Sequence, residues 1–145
     1  MSRFHPWRWL RDRHARIDIV WRQLPGGRAG YWDGAHTIVL DPRLTQAGRR
    51  SALAHELVHV ERDLIPTDAV LLAREEAAVD EIAARRLISL DALIDALRWC
   101  QCAPGAALAD EVWTDQHALN VRLRTLTPTE RVQIETALAD CDWAA

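Results

Sequence analysis

The stretch that most restricts what this chain can become is residues 49–63, RRSALAHELVHVERD, which has neither Gly nor Pro and is rich in Ala, Leu and Arg. That composition predicts a helix, and Thr45 is placed to cap one running over residues 46–62. In a helix His55 and His59 stand one turn apart and point the same way, so two imidazoles are poised for one metal ion. Glu56 follows His55 directly and is close enough to reach a water held by that ion. The rest of the chain must cover one face of this helix and leave the histidine face open. Leu53, Leu57, Val60 and Leu64 form the apolar stripe, with the histidines well round from it.

Upstream, Ile17, Ile19 and Trp21 alternate with Asp18, Val20 and Arg22, the period of a half-buried strand, which ends at Pro25-Gly26-Gly27. Asp33-Gly34 reads as a two-residue hairpin turn with both positions at positive φ. The expected class is α+β, with a small antiparallel sheet of three strands over residues 16–24, 29–32 and 36–40, the last leading into the motif helix through Asp41-Pro42. A short helix after Pro6 is expected at the N-terminus. Thr67 or Asp68 caps a second long helix over 68–88, on which Ala73, Glu76, Asp80, Ala83 and Leu87 share a stripe facing the motif helix. Ser89 caps a third helix over 90–99, ended by CAPGA. Two short helices over 106–112 and 115–123, the second capped by Thr114, have a helix-turn-helix look. Thr127-Pro128-Thr129-Glu130 is a capping box for the last helix. The division is one domain, with an N-terminal arm (1–15), a core (16–100) and a C-terminal helical subdomain (101–145).

His-Glu-x-x-His is the pattern of zinc peptidases. Catalytic zinc takes three protein ligands and keeps one position open, so a third ligand is needed, and Glu61, Glu75, Glu76, Asp80 and His36 are the candidates. Glu61 is turned away from the histidines, and Glu75 lies about 100° round from the stripe of Glu76, which favours Glu76. Asp80, one turn later, is placed to accept the N–H of a ligand histidine and fix its tautomer. Glu56 is then the general base that deprotonates the zinc-activated water and passes the proton to the leaving nitrogen. An oxyanion donor would come from Tyr31, His36 or His117, unless Tyr31 only packs in its strand and the histidines are surface groups. His36 is the least remote, and its strand, if at the sheet edge, would align an extended peptide.

LAHELVHVE, followed by EEAAVDEIAARRLIS, resembles the ImmA/IrrE family of small metallopeptidases, closely over residues 30–90 and more loosely beyond. The resemblance implies a gluzincin-like, zincin-like core, with His55, His59 and Glu76 as zinc ligands, Glu56 as base and Asp80 behind a ligand histidine. It further implies cleavage or inactivation of a repressor-type transcription factor, in systems often carried on mobile elements or serving stress responses. The sequence departs from the family pattern at Val58, where Gly is usual before the second histidine, and at Val79, Ile82 and Arg86. None of these is a ligand, but the missing Gly bears on how closely a strand or substrate approaches the helix.

Composition sets the outer limits. With 145 residues, 49% of them apolar, the chain is of soluble globular type. It shows no signal-like or membrane-spanning run, so a cytoplasmic protein is expected. Cys100, Cys102 and Cys141 are odd in number and lack metal-ligand spacing, which predicts reduced thiols. The net charge of −3 hides ten Arg against four acids in residues 1–50 and eight against seventeen in 51–145, with no Lys. The helix-turn-helix look is not accompanied by basic character, so direct nucleic-acid binding is not expected. The tryptophans are expected mostly in the core, with Trp7, Trp9 and Trp143 available to dock a partner. The leading expectation is a zinc endopeptidase acting on a regulatory protein. The alternative is a zinc-containing regulator that sequesters a repressor or binds DNA through its C-terminal helices, and a toxin-like general protease is a third reading.

Overall fold

The computed structural model describes residues 3–141. In chain order it contains α1 (Pro6–Arg13), β1 (Asp18–Trp21), β2 (Gly30–Trp32), β3 (Thr37–Leu40), α2 (Gln46–Arg62), α3 (Ala69–Leu87), α4 (Leu90–Trp99), α5 (Ala106–Glu111), α6 (Gln116–Arg124) and α7 (Pro128–Ala137). The class is α+β. Helix starts follow local chemistry: Thr45 accepts from the N–H of Gly48, Asp68 from Val70 and Leu71, and Ser89 from Ala92, while Thr127 and Glu130 form the reciprocal capping box. Each satisfies N–H groups that the first turn leaves without intrahelical partners.

The sheet is mixed, not antiparallel throughout. Its order is β1-β3-β2, with β1 parallel to β3 (Ile19 opposite Ile38) and β2 antiparallel to it (Tyr31 opposite Val39). A 3-10 turn at Pro25–Gly27 and β2 together carry the chain across, so β3 enters beside β1 in the same direction. β3 is therefore the central strand and β2 has the open edge beside α2. The hairpin turn is also longer than two residues. The N–H of Asp33 bonds the carbonyl of Thr37, its side chain accepts from the N–H groups of Ala35 and Thr37, and only Gly34 has positive φ, at 81°. An Asx-type bond replaces the second left-handed residue.

α2 is buried on most of its sides and joins three groups of apolar side chains. Leu53 and Leu57 pack with Leu10, Ile38 and Leu40; Ala54 joins the core of α4 to α7; Val58 meets Val79 and Ala83 of α3. Val58 thus faces α3 and packs there. Leu64 is not part of the α2 stripe, because the helix stops at Asp63 in the left-handed region (φ 49°) and Leu64 is 50% exposed.

α6 packs on α3, burying Ala118, Leu119 and Val121. Its cap is Asp115 and not Thr114; Asp115 accepts from the N–H of Ala118, and its own N–H bonds Ser51 Oγ on α2 at 3.0 Å. Arg50 ties the same region together from inside. It is fully buried, and its guanidinium donates to the carbonyls of Phe4 (2.9 Å), Leu87 (3.1 Å) and Trp113 (2.8 Å). Burial lowers its pKa to about 10.

The tryptophans sit at the margins of the core and not in it. Trp99 is 78% exposed, and Trp9 is fixed by a bond from Nε1 to Glu61 Oε1 at 2.6 Å. Trp143 lies outside the described residues. Cys100, Cys102 and Cys141 form no disulfide, and no helix among the described residues is long and apolar enough to cross a membrane.

Candidate metal centre

Helical periodicity brings His55 and His59 to one side of α2, and the packing of α3 across it supplies Glu76 and Asp80. The Nε2 atoms of His55 and His59 are 3.1 Å apart, and they lie 3.3 Å and 3.2 Å from the two oxygens of Glu76. One donor atom from each residue falls within 4.8 Å of the others. Zinc bonds of ~2.0–2.2 Å in tetrahedral geometry put neighbouring donor atoms about 3.3–3.6 Å apart. The observed separations approach those edge lengths, so the donor set fits a small divalent ion.

Asp80 stands where the sequence places it. Its Oδ1 is 3.0 Å from His55 Nδ1, which puts the ring proton on Nδ1 and leaves the Nε2 lone pair facing Glu76 and His59. Burial lowers the His55 pKa, but the bond to Asp80 and the charges of Glu56, Asp80 and Glu76 outweigh it, and the net shift is upward. His59 shifts down, through burial and the neighbouring His55 charge. The other carboxylates are engaged elsewhere. Glu75 is buried in a two-bond pair with Arg62, while Glu61 takes Trp9, His14 and Arg86 on the far side of α2.

Glu56 is 6% exposed. Burial raises its pKa, opposed by the His55 charge, a bond from the backbone N–H of Trp32 and the charge of Arg28. Gly30 lets β2 lie closely against β3 at the rim of the site. A Cβ there would lie 2.7 Å from the carbonyl oxygen of Val39 and 2.8 Å from Leu40 Cδ2.

These groups line a cleft of about 610 Å³ between β2, α2, α3 and α6. The three further candidates are placed differently. His36 is exposed in the β2–β3 turn and is not among the cleft-lining residues. Tyr31 borders the cleft, but its hydroxyl meets Arg22 Nη1 at 3.4 Å and Arg28 lies over its ring. His117 does line the cleft, with Nε2 2.9 Å from the second oxygen of Asp80. Sequence reasoning did not single out Arg28, the Trp32 N–H or Ser51. An isolated Gly in a strand, Gly30, was the one available signal of a close backbone approach.

Comparison with known proteins returns nothing for this chain: no family model, no curated protein and no solved structure matches it.

Proposed function

We propose that this chain is a zinc-dependent endopeptidase with a zincin-like core, of the ImmA/IrrE type, acting on a repressor or other regulatory protein. The observation that supports the chemistry most is the convergence of His55, His59 and Glu76 on one point with Glu56 buried beside it. Two imidazoles and a carboxylate suit zinc with a position left for substrate or water. Bound there, zinc supplies the Lewis acidity that brings the pKa of water toward ~7.

The chain's own residues do the rest. Glu56, made more basic by burial, takes a proton from the attacking water at its carboxylate and gives it to the departing nitrogen. The N–H of Trp32 and the charge of Arg28 oppose that rise and favour the ionised carboxylate. Asp80 holds His55 in the Nε2-donor tautomer. β2, not the strand of His36, has the open edge; there the N–H of Gly30 and the carbonyl of Trp32 face away from β3 and can align an extended peptide, the carbonyl of Gly30 being taken by Arg28 and the N–H of Trp32 by Glu56. The repressor class of substrate rests on the sequence resemblance.

Replacing Glu56 by Gln is expected to leave about one zinc per chain and abolish cleavage; undiminished cleavage by that variant sinks the mechanism. Retention of more than about half of the metal by Glu76→Ala would point to another third ligand. The sequestering alternative predicts stoichiometric inhibition of a repressor with no new fragment by mass spectrometry. Digestion of unfolded casein would mark a general protease instead.

A further inference from the structure

The connection from α2 to α3 and the first turn of α3 carry Leu64, Ile65, Val70, Leu71 and Leu72, each 40–61% exposed. All residues from 67 to 74 are exposed. Five large exposed apolar side chains within residues 64–72 make this ledge a candidate interaction surface. Asp63, Asp68 and Arg74 border it and Arg62 is paired with Glu75, while the five side chains themselves suit an apolar segment of a partner.

Its position says which partner. Ile65 and Leu72 belong both to the ledge and to the wall of the cleft that holds His55, His59 and Glu76. The open edge of β2 runs from Gly30 through Trp32 toward the turn at Gly34, where an added Cβ would be 3.2 Å from Ile65 Cδ1. A polypeptide lying along that edge therefore runs off its end onto the ledge.

We propose that the ledge of Leu64, Ile65, Val70, Leu71 and Leu72 docks the substrate chain itself, through an apolar segment adjoining the stretch that lies along β2. This rests on the peptidase reading for the nature of the docked chain, but its test uses neither zinc nor cleavage. A display library of random 16-residue peptides is panned on the full-length Glu56→Gln protein, and the enriched peptides are titrated by fluorescence anisotropy. Titrations against the same protein carrying Val70→Glu and Leu71→Glu give the comparison.

The expected result is enrichment of peptides bearing two or more large apolar residues, with affinity about tenfold lower for the substituted protein. Both replaced side chains are exposed, and far-UV circular dichroism checks the fold; the milder pair Val70→Ser and Leu71→Ser should give a smaller loss in the same direction. No binder, no apolar enrichment, or equal affinity for both proteins overturns the proposal. So does self-association of the unsubstituted chain in sedimentation velocity that the Glu pair abolishes, since the ledge would then join two copies. Absence of zinc or of cleavage in the unsubstituted protein would count against the peptidase reading and leave this result standing.

Discussion

Arg50 and His55 lie about one and a half turns apart on the same helix, yet the two polar centres are built on opposite principles. Arg50 is wholly enclosed, and its guanidinium is spent on carbonyl oxygens from three separated parts of the chain. Nothing about it is left to react. His55, His59 and Glu76 instead turn lone pairs toward one another at 3.1–3.3 Å, an arrangement that only a shared proton or a cation makes favourable. A buried charge with every hydrogen bond made holds the fold, whereas donor atoms that converge define a site.

The strongest way to break the comparison is at Arg50. Arg50→Ala removes the donors from three buried carbonyls and should cost ~3–5 kcal/mol in urea unfolding. Arg50→Lys should recover only part of this, because an ammonium cannot span the same set of acceptors. A loss below about 1 kcal/mol would show that the hub is not what joins the N-terminal arm to the C-terminal helices.

Asp80 tests the other centre. Asp80→Asn keeps the shape but weakens the hold on His55 Nδ1, and zinc affinity measured by competition with a chelating dye should fall ~10–100-fold. Stability of the metal-free protein should change far less than for Arg50→Ala. Equal zinc affinity would mean that Asp80 does not orient the histidine.

Glu130 sharpens the contrast at a smaller scale, since it is a satisfied charge nearer the surface. It accepts from Arg122 (2.7 Å) and Arg85 (3.1 Å), and the bond from Arg122 lowers its pKa from 4.5 to about 2. A depressed carboxylate adds stability in full above the unfolded-state value and loses it as pH falls toward the folded one. Glu130→Gln should therefore lower stability by about 1 kcal/mol at neutral pH, after solvent screening. It should also flatten the acid limb between 4.5 and about 2. An unchanged acid limb would assign that limb to other carboxylates.

The parts of the molecule legible in the sequence are those decided within a few residues. Thr45, Asp68, Ser89 and the box at Thr127 mark helix starts because capping is local, and a 3.6-residue period is enough to put His55 with His59 and Glu76 with Asp80. What crosses the chain was less accessible. The parallel pairing of β1 with β3 depends on how residues 22–36 fold back, and alternation in Ile17, Ile19 and Trp21 says nothing of direction. Arg50 sits beside Arg49 with no local mark to tell a buried hub from a surface cation. Leu64 continues the α2 periodicity on paper, and only the left-handed Asp63 takes it out. His36 looked close to the motif helix along the chain, but the longer turn carries it to the surface.

Gly30 has a consequence for how the strand beside the site is seated. The closeness of β2 to β3 at this point depends on a hydrogen atom where every other residue would have a carbon, because the first atom in the way is a main-chain oxygen of β3, whereas Glu56 Cγ on α2 would lie 3.8 Å off, at ordinary contact distance. Trp32, two residues along the same strand, carries the N–H that bonds Glu56. A single added methyl at position 30 would push β2 off β3 and carry with it the N–H that Glu56 accepts from, with no charged group touched.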